Sequence, residues 1–153
     1  MASTPTVRLA TADDLPRLIE LLAQLELGAP REALGPPMAE ACHRAFEEIA
    51  NDPRQQLFVL DDGGRIAGSA CLVIVPNLTH EGRPYAIVEN VVVDEASRSS
   101  GYGELLMRHV MAEAQRAGCY KLALTSNKQR PDAHRFYQRL GFRATHEGFR
   151  IEF

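Results

Sequence analysis

The segment Arg98-Ser99-Ser100-Gly101-Tyr102-Gly103 constrains this chain more than any other. It follows the apolar run Val91-Val92-Val93 and opens Glu104 to Gly118, where Met107, Val110, Met111 and Ala114 recur at helical spacing. A strand that turns directly into a helix through an Arg, two small residues and two glycines makes a cradle of backbone N–H groups. The helix N-terminus behind the cradle favours an anion, so a phosphate-bearing ligand is the first hypothesis. Each charge-assisted bond to a phosphate oxygen is worth roughly 1.5–3 kcal/mol, and several together can anchor one. The alternative is a glycine-rich turn that only joins strand to helix. Two other phosphate loops fail on the sequence. The dinucleotide fingerprint needs a third glycine where Leu106 stands, and the P-loop needs a Gly-Lys-Ser/Thr ending that is absent.

A chain of 153 residues with 45% hydrophobic and 24% charged residues suits one globular domain spanning 1–153. No run approaches the ~18 apolar residues of a membrane span, so no membrane partner is expected. Residues 1–6 lack the basic start and apolar stretch of a signal peptide, which predicts a cytoplasmic protein. The net charge of −3, with both signs interspersed, gives no electrostatic reason to expect nucleic acid. Cys42, Cys71 and Cys119 are far apart without a C-x-x-C, and the histidines show no ligand spacing. Buried thiols are expected, and no metal site.

Along the chain, Val7–Ala10 reads as a first strand and Thr11–Asp14 as a capped helix start. Leu15, Leu18, Ile19 and Leu22 continue an amphipathic helix. Gly28–Pro37 reads as a loop and Met38–Ala50 as a second helix. Gln56–Leu60 and Arg65–Val75 form a hairpin around Asp61-Asp62-Gly63-Gly64, with Gly68 marking a bulge or a close approach. Tyr85–Val93 is the next strand, Tyr120–Thr125 a further one, and Pro131–Leu140 a helix closed by Gly141. Phe142–Phe153 has room for one or two final strands. The order β-α-α-β-β-β-α-β-α-β predicts a mixed sheet with helices on its faces. The strands carrying Val91–Val93 and Leu122–Leu124 should run side by side in parallel.

A second motif lies in Asn127–Phe142, NKQRPDAHRFYQRLGF. With Arg98-x-x-Gly101-x-Gly103, its Ala133, Phe136, Tyr137, Gly141 and Phe142 resemble the signature of the GNAT acyl-CoA-dependent N-acetyltransferases. The two halves stand in order and at the family's spacing. The resemblance implies an α/β fold with a centrally splayed sheet, acetyl-CoA as acyl donor, and a primary amine of a small molecule as acceptor. It also implies donor contacts. The backbone of Val91, Val92 and Val93 would pair with the pantetheine arm. Arg98, Ser99, Ser100, Gly101, Tyr102 and Gly103 would hold the pyrophosphate. Asn127 would lie near the pantetheine, and Ala133 and Phe136 would flank the thiol end. Residues 125–137 are further similar to aminoalkylphosphonate N-acetyltransferases, some of which use a divalent metal.

Two residues carry the implied chemistry. By resemblance, Tyr137 donates a proton to the departing thiolate; as a helical aromatic alone, it reads as core filler. Glu89 is the one acid within the Tyr85–Val93 strand, and an acid there needs a partner or a purpose. It shares parity with Val91 and Val93. The family often places a glutamate on this strand to deprotonate the amine, directly or through water; the alternative is an ion pair with a base in 143–153. His80 and Glu81 are candidate acceptor contacts. His134 reads as surface or cofactor-adjacent rather than a base, Arg135 and Arg139 as a solvated helix face, and Tyr102 as a cover for the loop. The resemblance requires no metal and allows a homodimer. Two rival functions stand beside it: a non-enzymatic acyl-CoA sensor, and a protein or peptide N-acetyltransferase.

Overall fold

The computed structural model describes residues 3–25 and 36–153. The chain divides into two compact units, Met1–Ala123 and Leu124–Phe153. The first unit holds a five-stranded sheet in sequential order. β1 (Thr6–Leu9), β2 (Gln55–Asp62), β3 (Arg65–Val75) and β4 (Tyr85–Val93) form an antiparallel meander. β5 (Leu122–Ala123) joins β4 in parallel. Helices α1 (Leu15–Leu22), α2 (Pro36–Asn51) and α3 (Tyr102–Arg116) pack on this sheet. The expected mixed α/β architecture is therefore found. Of the expected Gly28–Pro37 loop, Pro36 and Pro37 open α2 and the rest lies outside the described residues.

β3 is buried without interruption from Ile66 to Leu72, as a central strand covered on both faces must be. One face sets Val59 and Val92 against Leu18 and Leu21 of α1. On the other, Phe58 meets His109 of α3 edge-on at 4.8 Å, and the site of a Cβ on Gly68 lies 3.7 Å from Leu106. The hydroxyl of buried Ser69 donates to the Phe58 carbonyl at 2.9 Å, which satisfies it inside the core. Gly63 (φ 64°) and Gly64 (φ 90°) make the hairpin turn, where L side chains are strained. Gly68 is both of the things expected of it. The register shifts between Leu60 and Asp61, beside it, and a Cβ there would sit 3.0 Å from the Val92 carbonyl.

Three expectations need correction. The Tyr120–Thr125 strand shrinks to Leu122–Ala123, and its pairing with β4 is confined to Ala86↔Leu122 and Ile87↔Ala123. The parallel neighbours thus part before Val91–Val93 is reached, which leaves that side of β4 without a strand partner among the described residues. Second, no strand forms in Phe142–Phe153. Third, Glu89 does not share parity with Val91 and Val93. Cys71 faces Glu89 and Ser69 faces Val92, so Asn90 and Val91 together oppose Ala70. This bulge, with Asn90 at φ 53°, puts Glu89 on the face of Val92 and turns Val93 to the other.

Asp94, immediately after β4, ties distant elements together. The residue is 6% exposed, and its carboxylate accepts from Arg17 of α1 at 2.5 Å, from Arg65 of β3 at 2.5 Å, and from Gln24 at 3.3 Å. Burial opposes its ionisation, but the bonds from Arg65 and Gln24 and the Arg17 charge prevail and bring its pKa down to about 2. Asp14 is similar: Arg8 binds it at 2.8 and 2.9 Å and, with the Thr11 amide, holds its carboxyl below the usual range.

Because both folded pKa values lie below the unfolded value near ~4, their stabilisation is complete above that pH. It is lost as pH falls through the folded values. Asp94→Asn should cost about 2 kcal/mol at neutral pH. Chemical denaturation across pH should then show a shallower acid decline in the variant than in the parent.

Candidate functional site

The loop from β4 to α3 is built to leave donors unused. Glu95–Ser97 makes one 3-10 turn capped by the Asp94 side chain, which accepts from the Ala96 amide at 3.3 Å. Ser99 (φ 66°) and Gly101 (φ 83°) then take left-handed conformations that swing the chain into α3. The first α3 bond runs from the Leu105 amide to the Gly101 carbonyl at 3.1 Å. The amides of Tyr102, Gly103 and Glu104 therefore have no acceptor within the helix. Ser100 donates its hydroxyl to the Ser97 carbonyl. Arg98 is exposed and enters no ion pair among the described residues. A free guanidinium and unbonded amides at a helix N-terminus form an anion site.

Tyr102 does more than cover this loop. Its hydroxyl donates to Asp62 at 2.7 Å, and that bond raises the phenol pKa. Asp62 ends β2 and Arg65 opens β3, so one hairpin holds both sides of the loop: Arg65 through Asp94 before it, Asp62 through Tyr102 after it.

On β4, Glu89 and Asn90 are exposed, Val91 and Val93 half-buried, and Val92 buried. Within the first unit Glu89 makes no ion pair among the described residues. Its cross-strand neighbour is Cys71, whose thiol pKa is pushed up by burial and then by the Glu89 charge. That thiol stays protonated and inert. Before β4, His80 (φ 53°) and Glu81 (φ 61°) form a tight exposed turn. The His80 ring stacks on Tyr120 at 3.7 Å, Tyr120 meets Tyr85 edge-on, and the Lys121 ammonium lies over both tyrosines. Sequence reading missed Tyr85, Tyr120 and Lys121 because they come together only through β4–β5 pairing.

The second unit carries α4 (Pro131–Arg139). Tyr137 is half-buried on it, between Phe136 at 5.2 Å and Phe142 at 5.8 Å. The helix ends in a Schellman motif: the Phe142 amide bonds the Tyr137 carbonyl and the Gly141 amide bonds the Gln138 carbonyl, both at 3.0 Å. Gly141 has φ 100°. The accompanying apolar contact is Phe142 on Tyr137, so the Gly-Phe pair of the motif fixes the tyrosine ring. Burial raises the phenol pKa while Arg130 opposes the shift. Tyr137 is therefore a protonated donor at neutral pH. Ala133 and Phe136 are half-buried beside it on the helix. Asn127 organises the preceding loop: its side-chain oxygen accepts from the Gln129 amide at 2.9 Å, and its carbonyl lies 2.8 Å from His134 Nε2. That nitrogen must carry a proton to bond a carbonyl, which excludes it as a base. Arg135 and Arg139 are exposed, a solvated face as expected. Ser126, passed over as loop, has a buried hydroxyl with no partner among the described residues. No cluster of three metal-ligating side chains occurs among the described residues.

Known proteins resemble this chain in sequence and fold. Residues 19–142 match the family described as Acetyltransferase (GNAT) family. The chain is 35% identical over 143 residues to a glucosamine 6-phosphate N-acetyltransferase of Trypanosoma brucei brucei, covering 88% of this chain and 94% of that one. It is 30% identical over 114 residues to an aminoalkylphosphonate N-acetyltransferase of Salmonella typhimurium, covering 72% and 73%; the likeness read from residues 125–137 is thus found. A solved structure described as a transcriptional regulator from Bacillus halodurans C-125 is 36% identical, with a TM-score of 0.90 over 98% of this chain and 100% of that one.

The geometry of α4 yields its own test. Gly141→Ala places a Cβ at φ 100° and should cost about 1–2 kcal/mol. Amide exchange should then accelerate selectively at Phe142 and Gly141, whose bonds close the motif.

Proposed function

Because the chain belongs to the acetyltransferase (GNAT) family, we propose that it moves an acetyl group from acetyl-CoA to the primary amine of a small molecule. The observation that carries the reading is the loop after β4, with free Arg98 and the unbonded amides at the α3 N-terminus. These suit the pyrophosphate of the donor. The unpartnered side of β4 from Val88 to Val93 suits an extended arm with amide groups, which would add to the strand as a further strand does.

Glu89, directly or through water, takes a proton from the ammonium. The freed amine attacks the thioester carbonyl, forming C–N. A backbone N–H near Val91 or Val92 steadies the oxyanion. The C–S bond then breaks, Tyr137 donates its proton to the departing sulfur, and solvent restores the phenol. Two relatives act, by their names, on small amines bearing a phosphate or phosphonate group, which supports an acceptor of that kind. Exposed Lys121 and the His80 turn are its proposed border.

The test is release of CoA from acetyl-CoA across aminosugar phosphates, aminophosphonates, polyamines, aminoglycosides and peptide N-termini, with and without divalent metal. Release with phosphorylated small amines is expected. Release only with peptides would move the acceptor class, and tight donor binding without any release would favour the sensor. Arg98→Glu should weaken acetyl-CoA affinity on the order of tenfold or more, measured by calorimetry; unchanged affinity counts against the loop assignment.

Steady-state pH profiles separate the two chemical roles. Tyr137→Phe should lower kcat about tenfold with the KM for acetyl-CoA unchanged. Glu89→Gln should slow the reaction most at low pH, where the amine is protonated. An unaltered profile would remove Glu89 as base.

A further inference from the structure

Backbone donors change use abruptly along the chain from β4 into α3. The Asp94 amide bonds the Ala67 carbonyl and the Ser97 amide bonds the Asp94 carbonyl, both at 2.8 Å. The Ala96 amide bonds the Asp94 side chain at 3.3 Å. From Ser99 to Glu104 no amide bonds to the protein among the described residues, and bonding resumes at Leu105. Within the first of these stretches, the Glu95 amide takes its acceptor from a side chain far off in sequence: Gln24 Oε1, 71 residues away, at 3.1 Å. The same side-chain amide donates through Nε2 to Asp94 Oδ1 at 3.3 Å. Gln24 is half-buried and lies two residues beyond the last residue of α1, Leu22. It presents one acceptor and one donor to two consecutive residues. A carboxylate in its place would only accept, and an ammonium would only donate.

We propose that Gln24 is a positioning residue for the acyl donor: it ties the Glu95 main chain to the end of α1 and so sets donor affinity. The inference rests on the acetyltransferase reading and deepens it. The loop beyond Glu95 contains Ser99 at φ 66°, and a non-glycine residue keeps such a conformation only where its surroundings over-determine it. The Asp94 carboxylate is held by Arg17 and Arg65 even without Gln24. The Glu95 amide has no acceptor but Gln24 among the described residues. Without it that N–H is left unbonded, the 3-10 turn Glu95–Ser97 is free to slip, and the amides from Ser99 onward are no longer presented as one ordered row. Ordering them then falls to the donor on binding, which costs affinity and not the rate of acetyl transfer.

Calorimetry with acetyl-CoA, steady-state kinetics and amide exchange on the full chain test it. Gln24→Met keeps the length of the side chain and removes both bonds. It should weaken acetyl-CoA binding about three- to tenfold and raise the KM for the donor in proportion, with kcat at saturating donor unchanged. The Glu95 amide should exchange faster in this variant. Glu95→Pro removes the N–H that needs an acceptor. The backbone suits it, because Asp94 is extended (ψ 131°) and Glu95 opens the 3-10 turn. In the Glu95→Pro background, Gln24→Met should change donor affinity by less than about twofold, whereas a role in packing alone would leave its effect at full size. Parental donor affinity in Gln24→Met overturns the inference and leaves the acetyltransferase reading standing. So does an undiminished loss in the Glu95→Pro background. A parent that binds no acetyl-CoA overturns both.

Discussion

The buried Asp94 carboxylate is the interaction on which the rest of the site depends. It lies where β4 ends and the anion loop begins, and it bonds to α1 through Arg17 and to β3 through Arg65. Removing one partner of such a cluster leaves charge buried without compensation, which is why these contacts constrain geometry more than their net stabilisation suggests. The loop beyond it contains a non-glycine residue in the left-handed region, Ser99, and would not hold that conformation unaided. With Tyr102 bonded to Asp62 on the far side, the loop is fixed at both ends. Its middle, Arg98 to Gly101, stays exposed. A donor phosphate bound there, as proposed, would meet amides already ordered, so less entropy would be lost on binding.

What could be read from the sequence was whatever local chemistry decides. The bounds of β3 and β4 followed from apolar runs between turn residues. The hairpin followed from Gly63-Gly64, and the end of α4 from Gly141, because a positive φ strongly favours glycine. Features that depend on distant partners were not legible. Asp94 looked like an ordinary residue after a strand, since Arg17 lies 77 positions away. The β4 bulge was hidden because its left-handed residue is Asn90, not glycine. The final strands were misjudged for a related reason. Phe149, Ile151 and Phe153 carry a strand pattern, but a pattern becomes a strand only where another edge pairs with it.

The bulge matters because it separates two properties of β4. Without it, Glu89 would point with Val91 and Val93, as strict alternation requires. With one extra residue, the acid lies on the α1 side with Val92, and Val93 turns toward the α3 side. Meanwhile pairing with β5 stops at Ile87, so the main-chain edge beyond it has no strand partner among the described residues. A strand that offers its edge to one ligand and a side chain on one face to another can bring two substrates together without either blocking the other. The splay supplies the edge and the bulge sets the side chain; neither alone does both.

The chemistry assigned to Tyr137 follows from the direction of its pKa. Burial raises a phenol that already titrates near ~10, so the group is protonated whenever the enzyme works. A free thiol titrates near ~8.5, so complete transfer from this phenol to a finished thiolate is uphill. In the proposed mechanism the phenol would therefore give its proton in step with C–S cleavage, to growing negative charge rather than to a finished thiolate, and solvent would restore the phenol. Such a role demands placement more than acidity. That is what the Schellman turn supplies, through Gly141 at a conformation other residues resist and Phe142 packed on the tyrosine ring.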